Sequence, residues 1–153
     1  PLSWEKNTMI RILLLISSIV VVQAVSSAQE SDVKQIQNVL DLQMAAWNKG
    51  DIAGYMDGYW RSDSLIFTSG GRVTRGWKST YRNYVRTYDS AERMGKLTFG
   101  DIEIVLLSQN SAWVLGKWNL ERASDKPHGI FTLIFRRIPG GWKIIHDHTS
   151  LAE

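Results

Sequence analysis

Gly141-Trp142-Lys143-Ile144-Ile145-His146-Asp147-His148-Thr149-Ser150 is the stretch on which the fold of this chain turns. It is rich in aromatic and β-branched residues, and Pro139-Gly140-Gly141 stands before it as a turn. It reads as a strand that returns alongside Gly129 to Ile138. Side chains alternate along a strand, so regular alternation places His146 and His148 on one face with Trp142 and Ile144. Lys143 and Asp147 then point the other way. Two imidazoles beside an indole and an isoleucine predict the wall of a half-polar pocket.

Working back from that strand, the chain orders itself into helices first and a meander after. Ser31 or Asp32 can cap a helix carrying Val33, Ile36, Leu40, Met44 and Trp47 at helical spacing. Asn48-Lys49-Gly50 ends it, with Gly50 suited to a left-handed position. Asp51 can cap a short second helix with Ile52, Tyr55, Met56 and Tyr59. Ser64 to Ser69 and Arg72 to Arg75 form a hairpin about Gly70-Gly71. Gly76 leads into a third helix with Trp77, Tyr81, Tyr84, Val85 and Tyr88 on one side. Asp89 to Gly95 reads as a loop. Lys96 to Leu107, Ser111 to Arg122, Gly129 to Ile138 and the terminal stretch are strands joined by short connections, which force antiparallel neighbours. This order predicts an α+β fold, with a curved antiparallel sheet wrapped on the N-terminal helices.

The first residues read differently. Met9-Ile10-Arg11 is a short positive start, and Ile12 to Val22 is apolar apart from Ser17 and Ser18. Ser26-Ser27-Ala28 then fits the small-x-small pattern of a signal-peptidase site. The apolar run of roughly 11 residues is shorter than the about 20 a membrane span needs. We expect residues 1–28 to be upstream sequence and a signal peptide with Met9 as initiator, and 29–153 to be a single exported domain, periplasmic or secreted, with no membrane contact once the leader is removed. About 125 residues are enough for one core. There is no cysteine, so neither a disulfide scaffold nor thiol catalysis is available. The net charge of +3 is spread along the chain, which speaks against a nucleic-acid partner. No Gly-rich phosphate loop and no Gly-x-Ser-x-Gly elbow is present.

Ala46-Trp47-Asn48-Lys49-Gly50-Asp51, Tyr59-Trp60, Gly76-Trp77 and above all the terminal Trp142 to Ser150 pattern resemble the SnoaL-like branch of the nuclear-transport-factor-2-like superfamily. The resemblance covers about residues 31 to 150. It implies a cone-shaped barrel with an internal pocket at its open end, and dimerisation through the sheet. Relatives of this kind include ketosteroid isomerase, scytalone dehydratase and polyketide cyclases. The association domain of calcium/calmodulin-dependent kinases ends in a similar Trp and His-x-His-x-Ser pattern. Fold alone leaves the function open.

Two functions fit these residues. One is a non-catalytic binding domain for a small apolar or aromatic organic ligand, with a ligand carboxylate as one option. The other is a small isomerase, dehydratase or cyclase using His146 or His148 as general acid or base, since imidazole titrates near neutral pH. For ligand contacts we single out Tyr59, Trp60, Trp77 and Tyr81 near the mouth, Trp142 beside the histidines, and Arg136 as a carboxylate partner sharing the face of Ile144. A metal would need a third ligand beside His146 and His148. His128 lies beyond the end of the last strand, and nothing in the spacing selects Asp63, Asp101 or Glu103. We therefore expect neither metal nor cofactor. Asp101 and Glu103 read as solvated, Asp51 as a helix cap, and Asp147 as an outer-face residue unless a strand bulge reverses its parity.

Overall fold

The structure, a computed structural model, describes residues 28–152. All but the last residue of the expected leader lies outside that range. Helix α1 (28–47) buries Ile36, Leu40, Gln43 and Trp47, one stripe at helical spacing. Its C-terminal turn ends at Gly50, whose φ of +76° is the left-handed conformation expected there. Asn48 then ties the turn to the sheet, donating from Nδ2 to Leu97 O at 2.9 Å and accepting from Leu97 N at 2.7 Å. Asp51 caps α2 (Ile52–Met56) by accepting from Gly54 N at 2.8 Å.

The hairpin β1 (Ile66–Ser69) and β2 (Arg72–Arg75) leads into α3 (Trp77–Thr87). The segment expected as a loop holds a one-turn helix, α4 (Ala91–Met94), whose N-terminus is capped by Ser90 Oγ accepting from Arg93 N. The meander β3 (Lys96–Ser108), β4 (Ser111–Glu121), β5 (His128–Ile138) and β6 (Gly141–Leu151) completes one curved, six-stranded sheet in the order β2-β1-β6-β5-β4-β3. β2 and β3 are its edges, so the curved sheet is unclosed. No helix among the described residues is long and apolar enough to cross a membrane.

The meander pairs antiparallel as its short turns demand, but β1 joins β6 in parallel. The core of the compact unit Gln35–Glu153 lies between the inner face of this sheet and the helices. Ala112, Val114, Leu133, Phe135, Trp142 and Ile144 come from the sheet, and Leu40, Trp47, Tyr55, Met56 and Tyr59 from the helices and the turn after α2. Burial of such side chains contributes roughly 1.5–3 kcal/mol each.

Of the three register shifts in the sheet, two in β3 and one in β6, the one near Asp101 and the one at Ile145 lie within the strands, away from the turns. In β3, Gly100 pairs with Lys117 and Glu103 with Leu115, so one extra residue is inserted near Asp101, which has φ +49°. In β6, Ile144 pairs with Phe135 but His146 pairs with Ile134, and Ile145 is the extra residue. A bulge of this kind reverses the parity of everything beyond it. Its cause is visible on the other edge of β6. The segment after α2 binds Ile144, with Trp60 N donating to Ile144 O at 2.9 Å and Ile144 N to Gly58 O at 3.0 Å. β1 takes over only from His146.

Candidate active site

Beyond the bulge, Asp147 and not its neighbours faces inward. In the sheet it lies between Leu133 of β5 and Phe67 of β1, and all three line a cavity of about 480 Å³. Asp147 is 5% exposed. The Tyr59 hydroxyl donates to its Oδ2 at 2.7 Å, while Oδ1 is buried with no hydrogen-bond partner among the described residues. Burial raises its pKa to about 7, against the smaller opposing effect of the Tyr59 hydrogen bond.

A chain of phenols extends from this carboxyl. The Tyr59 hydroxyl lies 3.4 Å from that of Tyr55, which lies 3.5 Å from that of Tyr84. Burial first, and the Asp147 charge second, push Tyr55 to about 12. Tyr59 and Tyr84 are also held well above the ordinary phenol value, chiefly by burial, so all three hydroxyls stay protonated near neutral pH. Trp47 packs edge-on against Tyr55 at 5.1 Å and against Tyr88 at 4.7 Å between ring centres. Gln43, the buried polar residue of α1, donates from Nε2 to Tyr55 O at 3.0 Å and holds α2 under this cluster. Leu97, Phe99, Phe131 and Trp118 form the apolar side, and Ser69, Gly70, Asn83, Thr87, Thr149 and Ser150 are hydroxyl, amide or backbone positions along the wall.

A family model described as a SnoaL-like domain matches residues 36–153. The chain belongs to the SnoaL-like family. Its solved relatives agree on the fold. A SnoaL-like domain of this shape is similar to an NTF-2 like protein of unknown function from Shewanella oneidensis MR-1, at 40% identity and TM-score 0.74, over 77% of this chain and 98% of that one. It also resembles a ketosteroid isomerase-like protein from Erwinia carotovora atroseptica at 16% identity and TM-score 0.64, over 80% and 97% of the two chains. A protein from Streptomyces avermitilis, provisionally named a dehydratase of the NTF2-like family, matches at 19% identity and TM-score 0.66, over 81% and 99%. Among curated proteins none matches.

Of the residues singled out from the sequence of this SnoaL-like domain, Tyr59 lines the cavity. The others lie elsewhere. His146 and His148 are on the opposite sheet face from Asp147, because Ile145 reverses the expected parity. His146 is half-buried, and burial, then the neighbouring His148, lower its pKa; His148 is exposed. Trp142 is buried in the core, with the Arg137 guanidinium 4.9 Å from its ring centre. Arg136 is exposed and pairs with Lys143, so it is Arg137 and not Arg136 that shares the face of Trp142 and Ile144. Trp77 stacks on Tyr81 at 5.2 Å, donates from Nε1 to Met56 O at 2.9 Å and carries the Arg61 guanidinium at 4.6 Å. It joins α3 to α2 outside the cavity, and Trp60 does not line the cavity either. Asp101 is exposed and paired with Lys117 at 2.6 Å, and Glu103 is exposed. No group of three or more His, Asp or Glu side chains among the described residues could hold a metal.

Sequence reasoning thus passed over Asp147, Tyr55, Tyr84 and Trp47 as cavity residues. The i, i+4 spacing of Tyr55 and Tyr59 placed them on one helical side, which was the available signal. For Asp147 the signal is the Ile144-Ile145 doublet, where an apolar residue interrupts alternation before the polar His-Asp-His run.

Proposed function

We propose that this SnoaL-like domain binds a small, largely apolar organic molecule in its cavity and moves a proton on it with Asp147. The observation that carries the reading is a buried carboxyl in the cavity wall, one oxygen held by Tyr59, the other unpartnered, poised to exchange its proton at about pH 7. Ionised, Asp147 takes a proton from a carbon next to a carbonyl. The C–H bond breaks, its electron pair moves toward the carbonyl oxygen, and the O–H bond forms on Asp147. Return of the proton to a different carbon is isomerisation. Expulsion of a neighbouring hydroxyl as water, with that same proton, is dehydration. The names carried by two structural relatives, ketosteroid isomerase-like and dehydratase, are of this chemical kind.

The experiment is proton exchange. Small apolar ketones and amino ketones are incubated with the protein in D₂O, and loss of the ligand's C–H signals is followed by NMR. Wild type accelerates exchange for at least one compound, and the rate rises with pH through about 7. Asp147→Asn slows it by about 10²–10⁴-fold, the ordinary contribution of a general base. Compounds that raise the melting temperature without exchanging would instead mark a non-catalytic pocket.

Two further parts of the reading concern the whole protein. Leu115, Ile130 and Ile134 are exposed on the outer sheet face, which supports a homodimer joined there; sedimentation of wild type against Ile134→Glu tests it. The leader pattern ending at Ala28 supports export, tested by the N-terminal sequence of the mature protein.

A further inference from the structure

The cavity wall is rich in rings, and the indole and amide donors around them are already engaged. Trp47 Nε1 donates to Met94 O and Trp118 Nε1 to Ser150 O, each at 3.1 Å, while Gln43 Nε2 donates to Tyr55 O and the Tyr59 hydroxyl to Asp147. Among the described residues no Lys, Arg or His lines the cavity. Among the described residues Asp147 Oδ1, an acceptor, is buried in this wall without a hydrogen-bond partner. A buried carboxylate oxygen without a donor is unfavourable, so a ligand that supplies one is favoured. Trp47, Tyr55, Tyr84 and Phe67 line the same cavity, and aromatic rings attract a cation placed over their faces.

From this arrangement we infer that the cavity selects a small hydrophobic amine in its protonated form, the ammonium held by Asp147 and the aromatic rings and the apolar part lying toward Phe99 and Phe131. The inference rests on the reading of Asp147 as the group that meets the cavity's ligand. Proton transfer points the same way. When Asp147 takes a proton from carbon, negative charge passes to the ligand, and no cation in the wall offsets it. An ammonium on the ligand does. A ligand carboxylate, by contrast, meets Asp147 with no basic partner.

The titratable groups facing Asp147 are Tyr55 and Tyr59 from α2 and the turn after it, and Tyr84 from α3. β1 and β5 present Phe67 and Leu133. The phenols remain neutral across the range of interest, so Asp147 alone sets the pH dependence. The affinity for an ammonium rises with pH through about 7 and then levels off.

The test uses three probes of similar size, 4-phenylbutylamine, 4-phenylbutanol and 4-phenylbutanoate, measured by calorimetry on the intact protein. At pH 8 the amine binds at least about tenfold tighter than the alcohol, as a charge-assisted pair with ring contacts requires, and the carboxylate binds more weakly than either. The preference for the amine shrinks to under about threefold at pH 5.5 in wild type, and at pH 8 in Asp147→Asn. An alcohol or carboxylate that matches the amine at pH 8, a preference unchanged at pH 5.5, or no binding of any probe overturns the inference. The wild-type pH comparison decides the matter even where the variant fails to fold. Because this is equilibrium binding, its outcome is separable from proton exchange: amine selectivity without exchange leaves the inference standing and removes the proposed chemistry.

Discussion

The two faces of β6 carry opposite kinds of ionisable group. On the outer face His146 and His148 stand beside Ile134 and Thr132, His146 half-buried and His148 exposed. On the inner face Asp147 is enclosed by Leu133, Phe67 and a phenol, and its charge is disfavoured until about pH 7. By residue type the histidines are the obvious proton carriers and the aspartate an ordinary surface acid. Burial reverses the two roles, because a pKa is set by surroundings as much as by the group itself. One extra residue, Ile145, decides which group receives which surroundings.

The strongest challenge to this contrast is stability against pH. A carboxyl whose folded pKa is raised from 3.8 to about 7 keeps its proton in the native state while the unfolded chain has lost it. Between those values the unfolded state binds fewer protons, so stability falls as pH rises, and above about 7 the deficit is constant. The full effect is on the order of 4 kcal/mol, at about 1.4 kcal/mol per pH unit. Asp147→Asn carries no such charge. Denaturant unfolding at pH 4 and pH 8 therefore shows the variant gaining on wild type by a few kcal/mol at the higher pH. Equal pH profiles for the two proteins would remove the inner-face half of the comparison.

Deleting Ile145 sharpens the contrast. Without the extra residue, regular alternation gives Ile144 inward, His146 outward and Asp147 inward, the arrangement the bulge already produces. The protein folds with a loss of about 1–3 kcal/mol, from the disturbed edge where the chain after α2 hands over to β1. Asp147 continues to titrate far above the usual carboxylate range. Loss of the folded state would show that the bulge, and not the pairing, holds the strand in place.

The smallest expected effect concerns the outer face. His146→Asn and His148→Asn each change proton exchange less than about twofold, set against the 10²–10⁴ of a residue that transfers the proton, and stability by no more than about 0.5 kcal/mol. A loss of exchange as large as that of Asp147→Asn would return the histidines to the centre of the chemistry.

Much of the fold is legible in the sequence because its signals are local. Gly50 and Asp51 mark the end of α1 and the cap of α2, Gly70-Gly71 the hairpin turn, and Pro139-Gly140-Gly141 the β5–β6 turn; each turn or cap is where its residues put it. The Ser90 cap of α4 is also local, but a single turn leaves no periodic trace. The site is another matter. The parallel pairing of β1 with β6 joins residues about 80 positions apart, and no turn between them announces it. The bulge at Ile145 follows from two partners sharing one edge of β6, Gly58 to Trp60 and then Ile66 to Ser69. Alternation is a rule for a strand with one regular neighbour, and it fails where the neighbour changes. That failure moved both histidines out of the expected hollow and Asp147 in, whereas Arg136 is turned outward by the turn itself, which pairs Ile138 with Gly141 and so Arg136 with Lys143. Tyr59, in the turn after α2, meets Asp147 through a tertiary hydrogen bond that has no local counterpart in the sequence.

The most direct measurement is the titration of the Asp147 carboxyl by carbon NMR on protein labelled at aspartate, assigned by Asp147→Asn. A midpoint near pH 7 is the expected result. A midpoint near 4 would mean that the carboxyl is solvated, and neither the proton transfer nor the selection of an ammonium would follow.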